Sequence, residues 1–282
     1  MSLSPSSSVQ EARKAVAQRL REARLDAGLT GRQIAERCGW HPAKTSRIES
    51  AKAVPSDADI RAWCAACGCE ERVEDFIAAS RTADSMYVEW KQLHRTGMRK
   101  AQQDFVPLFE RTRQFRVYCS TVMSGLVQTH EYAASLLSMI SRFQGTPDDS
   151  EGAAAARVAR SHVIREGDHR FALLFEEDIL YRLHGDSEVM AGQLGYLLAV
   201  MALPSVSLGV IPRGAPRTMW TLETFTMFDE ARVHVELLTA KVTVTQPGEI
   251  ATYQRAFGRM AEMAVYGAPA RRLITQALDA LG

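Results

Sequence analysis

The 282-residue sequence contains no stretch that reads as a secretory or membrane-spanning segment. Met1 to Gln10 (MSLSPSSSVQ) has neither a basic start nor an apolar core, so it reads as a loose polar lead and not a signal peptide. The uncharged run from Val189 to Pro212 is long enough to span a bilayer as one helix. Pro204 splits it, Gly192, Gln193 and Gly195 dilute it, and Val206, Leu208 and Val210 then alternate at the period of a strand. A buried helix followed by a core strand is expected, with no membrane partner. Cysteine is scarce, and five thiols without secretory context point to a reducing compartment. Cys64, Cys67 and Cys69 are spaced C-x-x-C-x-C with no nearby histidine, and Ile60 and Trp63 share the helix of Cys64 and Cys67, so buried apolar thiols are preferred to a metal or redox site. A phosphate-binding glycine loop is also missing, since Gly192-Gln193-Leu194-Gly195 lies inside a helical run. Neither metal nor cofactor is expected.

What the sequence does contain is a short basic helix with clear local start signals. In Gly39-Trp40-His41-Pro42-Ala43-Lys44-Thr45-Ser46-Arg47-Ile48-Glu49, His41 falls at the cap and Pro42 at the first helical position, where a missing N–H costs nothing. Thr45 and Ile48 share one side, while Ala43, Lys44 and Arg47 share a basic one. Upstream, Thr30 and Gln33 form a capping box that opens a two-turn helix, and Gly39 supplies the left-handed turn between the two. The unit is helix, turn, helix. Charge agrees: residues 1–52 carry ten Lys+Arg against five Asp+Glu, so the whole-chain value of +1 hides a basic head and an acidic remainder.

Through Leu20, Arg24, Gly28-Leu29-Thr30, Ile34-Ala35, Gly39 and Ser46-Arg47-Ile48-Glu49, residues 10–80 resemble the lambda-repressor-like (Xre-family) regulators. That resemblance places the second helix in the major groove, with Pro42, Ala43, Lys44 and Arg47 at base edges. It also pairs Arg24 with Glu49 structurally. In our assignment Arg47 reads a base, Ser46 lies on the same DNA-facing helix, and Arg32, Ser50 and Lys52 hold phosphates. Two departures stand out: Gly31 occupies a frequent glutamine position, and Ala51 stands where a glycine usually follows the recognition helix.

In chain order, the first helix is expected at 10–27 with Ala12, Val16, Leu20 and Ala23 inward, and a fourth from Ser56 to Cys67. A fifth helix, about 70–81, carries Val73, Phe76 and Ile77. Residues 83–104 read as a helical linker between a DNA-binding domain at 1–82 and a second domain at 105–282. Within the latter, 105–118 reads as a helix keeping Phe109, Phe115 and Tyr118 for the core, with further helices at 126–140, 148–165, 176–183 and 187–203. Strands are expected at 171–175, 206–211, 223–228, 232–238 and 241–245, and two closing helices at 249–265 and 269–281. The fold class is therefore a mainly α five-helix head plus an α+β domain with a small, largely antiparallel sheet.

Gly125-Leu126-Val127-Gln128-Thr129-His130-Glu131-Tyr132-Ala133, Val189-Met190, Gln193-Leu194 and Val210-Ile211-Pro212 look like the C-terminal domain of actinobacterial Xre regulators. That domain has no assigned function and is described as antitoxin-like. Together the two resemblances imply a cytoplasmic, nucleoid-associated regulator that binds double-stranded DNA as a homodimer, with a second domain that senses a ligand or binds a small partner protein encoded nearby. A ligand pocket lined by Tyr196, Trp220, Phe225 and Phe228 competes with ordinary aromatic core. Enzymatic readings are weaker and no catalytic residue is assigned. His162 and His169 near Glu176, Glu177 and Asp178 supply metal-like types, and Ser205 or Ser207 with Lys241 would suit a self-cleaving repressor cut at Ala191-Gly192.

Overall fold

Helix α1 (Pro5–Asp26) organises the first of two units because its stripe Val16, Leu20 and Ala23 recurs at helical spacing and is buried along its length. It begins at Pro5, so the lead read as loose is helical in part. Our computed structural model describes residues 5–85 and 87–282, and it divides the chain into Met1–Val88 and Glu89–Gly282. In the first unit α2 (Gly31–Arg37), α3 (Pro42–Glu49), α4 (Asp57–Cys67) and α5 (Val73–Ser85) follow. Ile34, Ile48, Ile60, Trp63 and Phe76 close the core with Leu20. The Trp63 indole N–H donates to the Leu20 carbonyl at 3.0 Å, which satisfies the one polar atom of the largest core side chain. Cys64 lies fully buried in this core. Burial pushes its thiol up, and burial with the neighbouring Cys69 pushes Cys67 up to about 11.

The three-residue strand β1 (Tyr87–Glu89) falls at the join. In the second unit α6 (Trp90–Leu93), α7 (Arg99–Gln103) and α8 (Val106–Arg111) precede strand β2 (Gln114–Cys119). Then come α9 (His130–Gln144), α10 (Ser150–Arg160), β3 (Arg170–Glu176), α11 (Ser187–Val200) and β4 (Val206–Ile211). Strands β5 (Phe225–Phe228), β6 (Arg232–Glu236) and β7 (Ala240–Val244) and helices α12 (Pro247–Met263) and α13 (Gly267–Asp279) complete it. Among the described residues no helix is long and apolar enough to cross a membrane.

Strands β2–β7 run in the order β7-β6-β5-β2-β3-β4. β2 pairs in parallel with β3 and β3 with β4, whereas β2·β5, β5·β6 and β6·β7 are antiparallel. The sheet is thus mixed, which corrects the largely antiparallel expectation, and the cause is β2. Residues 105–118 do not form one helix: α8 stops at Arg111, where the Thr112 hydroxyl donates back to the Leu108 carbonyl at 2.6 Å, and the chain turns into a central strand. Phe109, Phe115 and Tyr118 suit a helical face, but Phe115, Val117, Tyr118 and Cys119 are all buried because β2 is covered on both sides. Parallel neighbours need crossover helices, which α9 with α10 and then α11 supply.

The span read as a linker is divided: its first residues belong to α5 and the first unit, and from Glu89 it is built into the second. The Trp90 backbone N–H donates to Thr239 and its indole to Leu237, and Asp149 accepts from the α7 amides of Met98 and Arg99 at 2.6 and 2.9 Å. Gly97, at φ +102°, makes this approach possible, since a Cβ there would sit 2.4 Å from the Asp149 carboxylate.

Fully buried Gln193 clasps the turn before α9. Its Nε2 donates to the Val127 carbonyl at 2.7 Å and its Oε1 accepts from the Thr129 N–H at 2.8 Å. Gln193→Leu keeps the volume but strands both backbone groups, so we expect a loss of about 2–4 kcal/mol in urea unfolding followed by circular dichroism. Unchanged stability would show that the turn finds other partners.

Candidate nucleic-acid interface

The geometry of the helix-turn-helix starts from its caps. Thr30 Oγ1 accepts from the Gln33 N–H at 3.3 Å and Gln33 Oε1 accepts from the Thr30 N–H at 2.8 Å, completing the box. Gly39 takes φ +67° in the turn. His41 Nδ1 accepts from the Ala43 N–H at 3.2 Å, and Pro42 follows at the first helical position. On α3, Thr45 and Ile48 are buried, which directs Pro42, Ala43, Ser46 and Arg47 to solvent.

One buried ion pair fixes this helix against α1. Arg24 Nε and Nη2 donate to the two Glu49 carboxylate oxygens at 2.5 and 3.1 Å, and Nη1 donates to the Leu29 carbonyl at 2.6 Å. The fork geometry satisfies both oxygens with one guanidinium.

The other assigned contacts divide into free and committed groups. Arg32, Arg47 and Lys52 are exposed, with no side-chain hydrogen bond or ion pair among the described residues. Lys44 is not free. Its ammonium lies 2.5 Å from Asp59 Oδ1 and 4.3 Å from the centre of the Trp40 ring, so the basic face read from the sequence is reduced to Arg47. Burial would raise the Asp59 carboxyl, but the hydrogen bonds from Lys44 and Ser56 outweigh it and hold that carboxyl below its ordinary value. Asp59 also completes a capping box with Ser56 at the start of α4, one oxygen accepting from the Ser56 N–H while the other takes Lys44. Ser50 is exposed, but its hydroxyl donates to the Ser46 carbonyl at 2.7 Å and so closes the end of α3.

The remaining candidates lie in the second unit. Phe225 and Phe228 line a cavity of about 540 Å³ there, whereas Trp220 is 63% exposed and Tyr196 accepts a hydrogen bond from Arg165 at 3.2 Å, so the four do not form one pocket. His162 and His169 are each bonded through Nδ1 to a backbone carbonyl. Glu176 is held by Arg217 at 2.8 and 2.6 Å and by the Tyr118 hydroxyl at 2.8 Å, and Asp178 by Arg213 at 2.6 Å. Among the described residues no three His, Cys, Asp or Glu side chains converge as a metal site. Ser207 lies on β4 at one edge and Lys241 on β7, five strands away, roughly 24 Å at the usual strand spacing. Ser205 donates to the Ile164 carbonyl instead. A Ser-Lys pair acting on Ala191-Gly192 is therefore not assembled.

Comparison with known proteins agrees with the division in two. Residues 15–76 match a family described as a helix-turn-helix domain. Residues 102–276, more than half of the chain, match one described as a domain of unknown function, DUF5753. No curated protein matches the chain. A solved structure titled as that of TrmBL2, an archaeal chromatin protein with a novel mode of DNA binding, aligns at 13% identity over 80% of this chain and 72% of that one. Its TM-score of 0.30 carries no argument about fold or function.

The chain leaves α3 through Ala51 at φ +54°, a left-handed conformation that disfavours a Cβ. Ala51→Gly removes that strain, and after the larger chain entropy of glycine we expect a gain of about 0.5–1 kcal/mol in the first unit. Hydrogen exchange of the buried Ile34 and Ile48 amides in the intact protein reads it out; faster exchange would contradict the strain.

Proposed function

We propose that this chain, which belongs to the family of the domain of unknown function DUF5753 and carries a helix-turn-helix domain ahead of it, is a DNA-binding transcriptional regulator and not an enzyme. The observation that carries the reading is α3 itself: one face buried, the other exposed, and Arg47 presented from it without a partner. As in lambda-repressor-like proteins, α3 enters the major groove and Arg47 reads a base, most simply guanine through a bidentate contact. Arg32 and Lys52 flank it and neutralise phosphates. Lys44, tied to Asp59, supports the helix and contributes little to readout. A head this small reads few base pairs, so the protein binds as a two-fold dimer on half-sites about one helical turn, ~34 Å, apart. The second unit supplies regulation.

Selection from random duplexes with the full-length protein, repeated across a salt series, tests this. The expected outcome is an enriched pseudo-palindrome. Arg47→Ala should cost about 1–3 kcal/mol on the selected site and relax one position in each half. Lys52→Ala should weaken all sequences alike and reduce the salt slope by about 1. Binding without enrichment would overturn the specific regulator, and equal weakening of all sequences by Arg47→Ala would make that residue a phosphate contact.

A further inference from the structure

The cavity of the second unit is large, apolar over most of its wall, and unbalanced in charge. Its volume of about 540 Å³ lies in the range of small-ligand sites. Trp90, Phe105, Phe109, Phe225 and Phe228 line it. So do three cations, Arg157, Arg160 and Lys241, against one carboxylate, the exposed Glu236. None of the three cations makes a direct ion pair among the described residues. Arg157 instead donates to the neutral amide oxygens of Gln102 and Gln128 at 3.0 and 2.8 Å. Lys241 Nζ lies over the Phe105 ring at 4.7 Å and the Arg160 guanidinium over the same ring at 5.0 Å.

Three buried nitrogen atoms on this wall, one of Arg160 and two of the half-buried His184, have no hydrogen-bond partner among the described residues. Arg160 is 8% exposed, donates through Nη1 to the Gln102 carbonyl at 3.3 Å, and leaves its Nε unsatisfied. Both ring nitrogens of His184 are also unsatisfied. A buried guanidinium facing neutral amides and aromatic rings is costly unless something anionic joins it. Burial, with Arg157 beside it, lowers Arg160 to about 9, so it stays cationic at neutral pH, while burial, Lys241 and Arg232 push His234 down to about 3 and keep it neutral. The surplus of positive charge is therefore a property of the resting cavity. Met139, Phe143 and Leu238 also line it and are 47%, 73% and 77% exposed, so its rim is apolar and open to solvent.

We infer that this cavity binds a small amphipathic carboxylic acid, with the carboxylate at Arg160, Arg157 and Lys241 and an aromatic or aliphatic body against the phenylalanines. Charge complementarity selects the anionic head and the aromatic lining selects the body. This deepens the regulatory role proposed for the second unit, and rests on it only for the coupling to DNA.

Isothermal titration of the full-length protein with naphthalene-2-carboxylate and with octanoate, each against its alcohol, tests the assignment. We expect at least one acid to bind, at least tenfold tighter than the matching alcohol. Arg160→Met should remove that tenfold preference of acid over alcohol. Lys241→Gln, at a less buried position, should reduce it several-fold and keeps the test open if Arg160→Met does not fold. Absence of binding by both acids to the folded protein would overturn the inference, as would equal affinity for acid and alcohol, or wild-type acid affinity in folded variants. Acid binding by a protein that selects no DNA site would sink the regulator and leave the cavity assignment standing.

Discussion

The presentation of α3 depends on the fork between Arg24 and Glu49. A short helix with only Thr45 and Ile48 buried has little apolar area to hold it, and the pair supplies direction as well as attraction. With Arg24 almost fully buried and its remaining nitrogen on the Leu29 carbonyl, the charge is satisfied on every side. Removing one partner of such a pair costs about 3–5 kcal/mol because the other is left buried and unpaired. The exposed edge of α3 can therefore be polar and free, since its position is secured from behind.

The second unit uses the same principle differently. Neutral amides stand beside Arg157 where carboxylates would be expected, Gln128 and Gln102 receiving it, while the amide of Gln193 both donates and accepts to hold the turn from Val127 to Thr129. Amides satisfy hydrogen bonds without cancelling charge, so the domain folds with its interior guanidinium charge intact. Glu176, by contrast, is fully matched by Arg217 and Tyr118 and belongs to the framework.

Much of the first unit was legible because its signals are local. Thr30, Gly39, His41 and Pro42 each act within a few residues, so α2, the turn and α3 follow from spacing alone. The fate of Lys44 did not, because its partner Asp59 is 15 residues away on a different helix. In the second unit β2 was hidden for a similar reason: its partners are residues 170–175 and 225–228, and its apolar spacing mimics a helix. The aromatic pocket candidates were chosen by residue type, which finds Phe225 and Phe228 but gives no weight to Arg157 and Arg160. On an alanine-rich helix those arginines resemble a solvated face, and only the packing of α7 and α8 against α10 turns them inward.

Gly97 and Asp149 form a joint whose logic reaches beyond this one sequence. The carboxylate caps α7 only because no side chain stands at Gly97, and a Cβ there would displace it from the two amides it holds. Either residue altered alone leaves α7 uncapped or blocked. The pair is thus a coupled inheritance: descendants of this chain would keep both or replace both, and drift at one position is checked by the other across 52 residues of sequence.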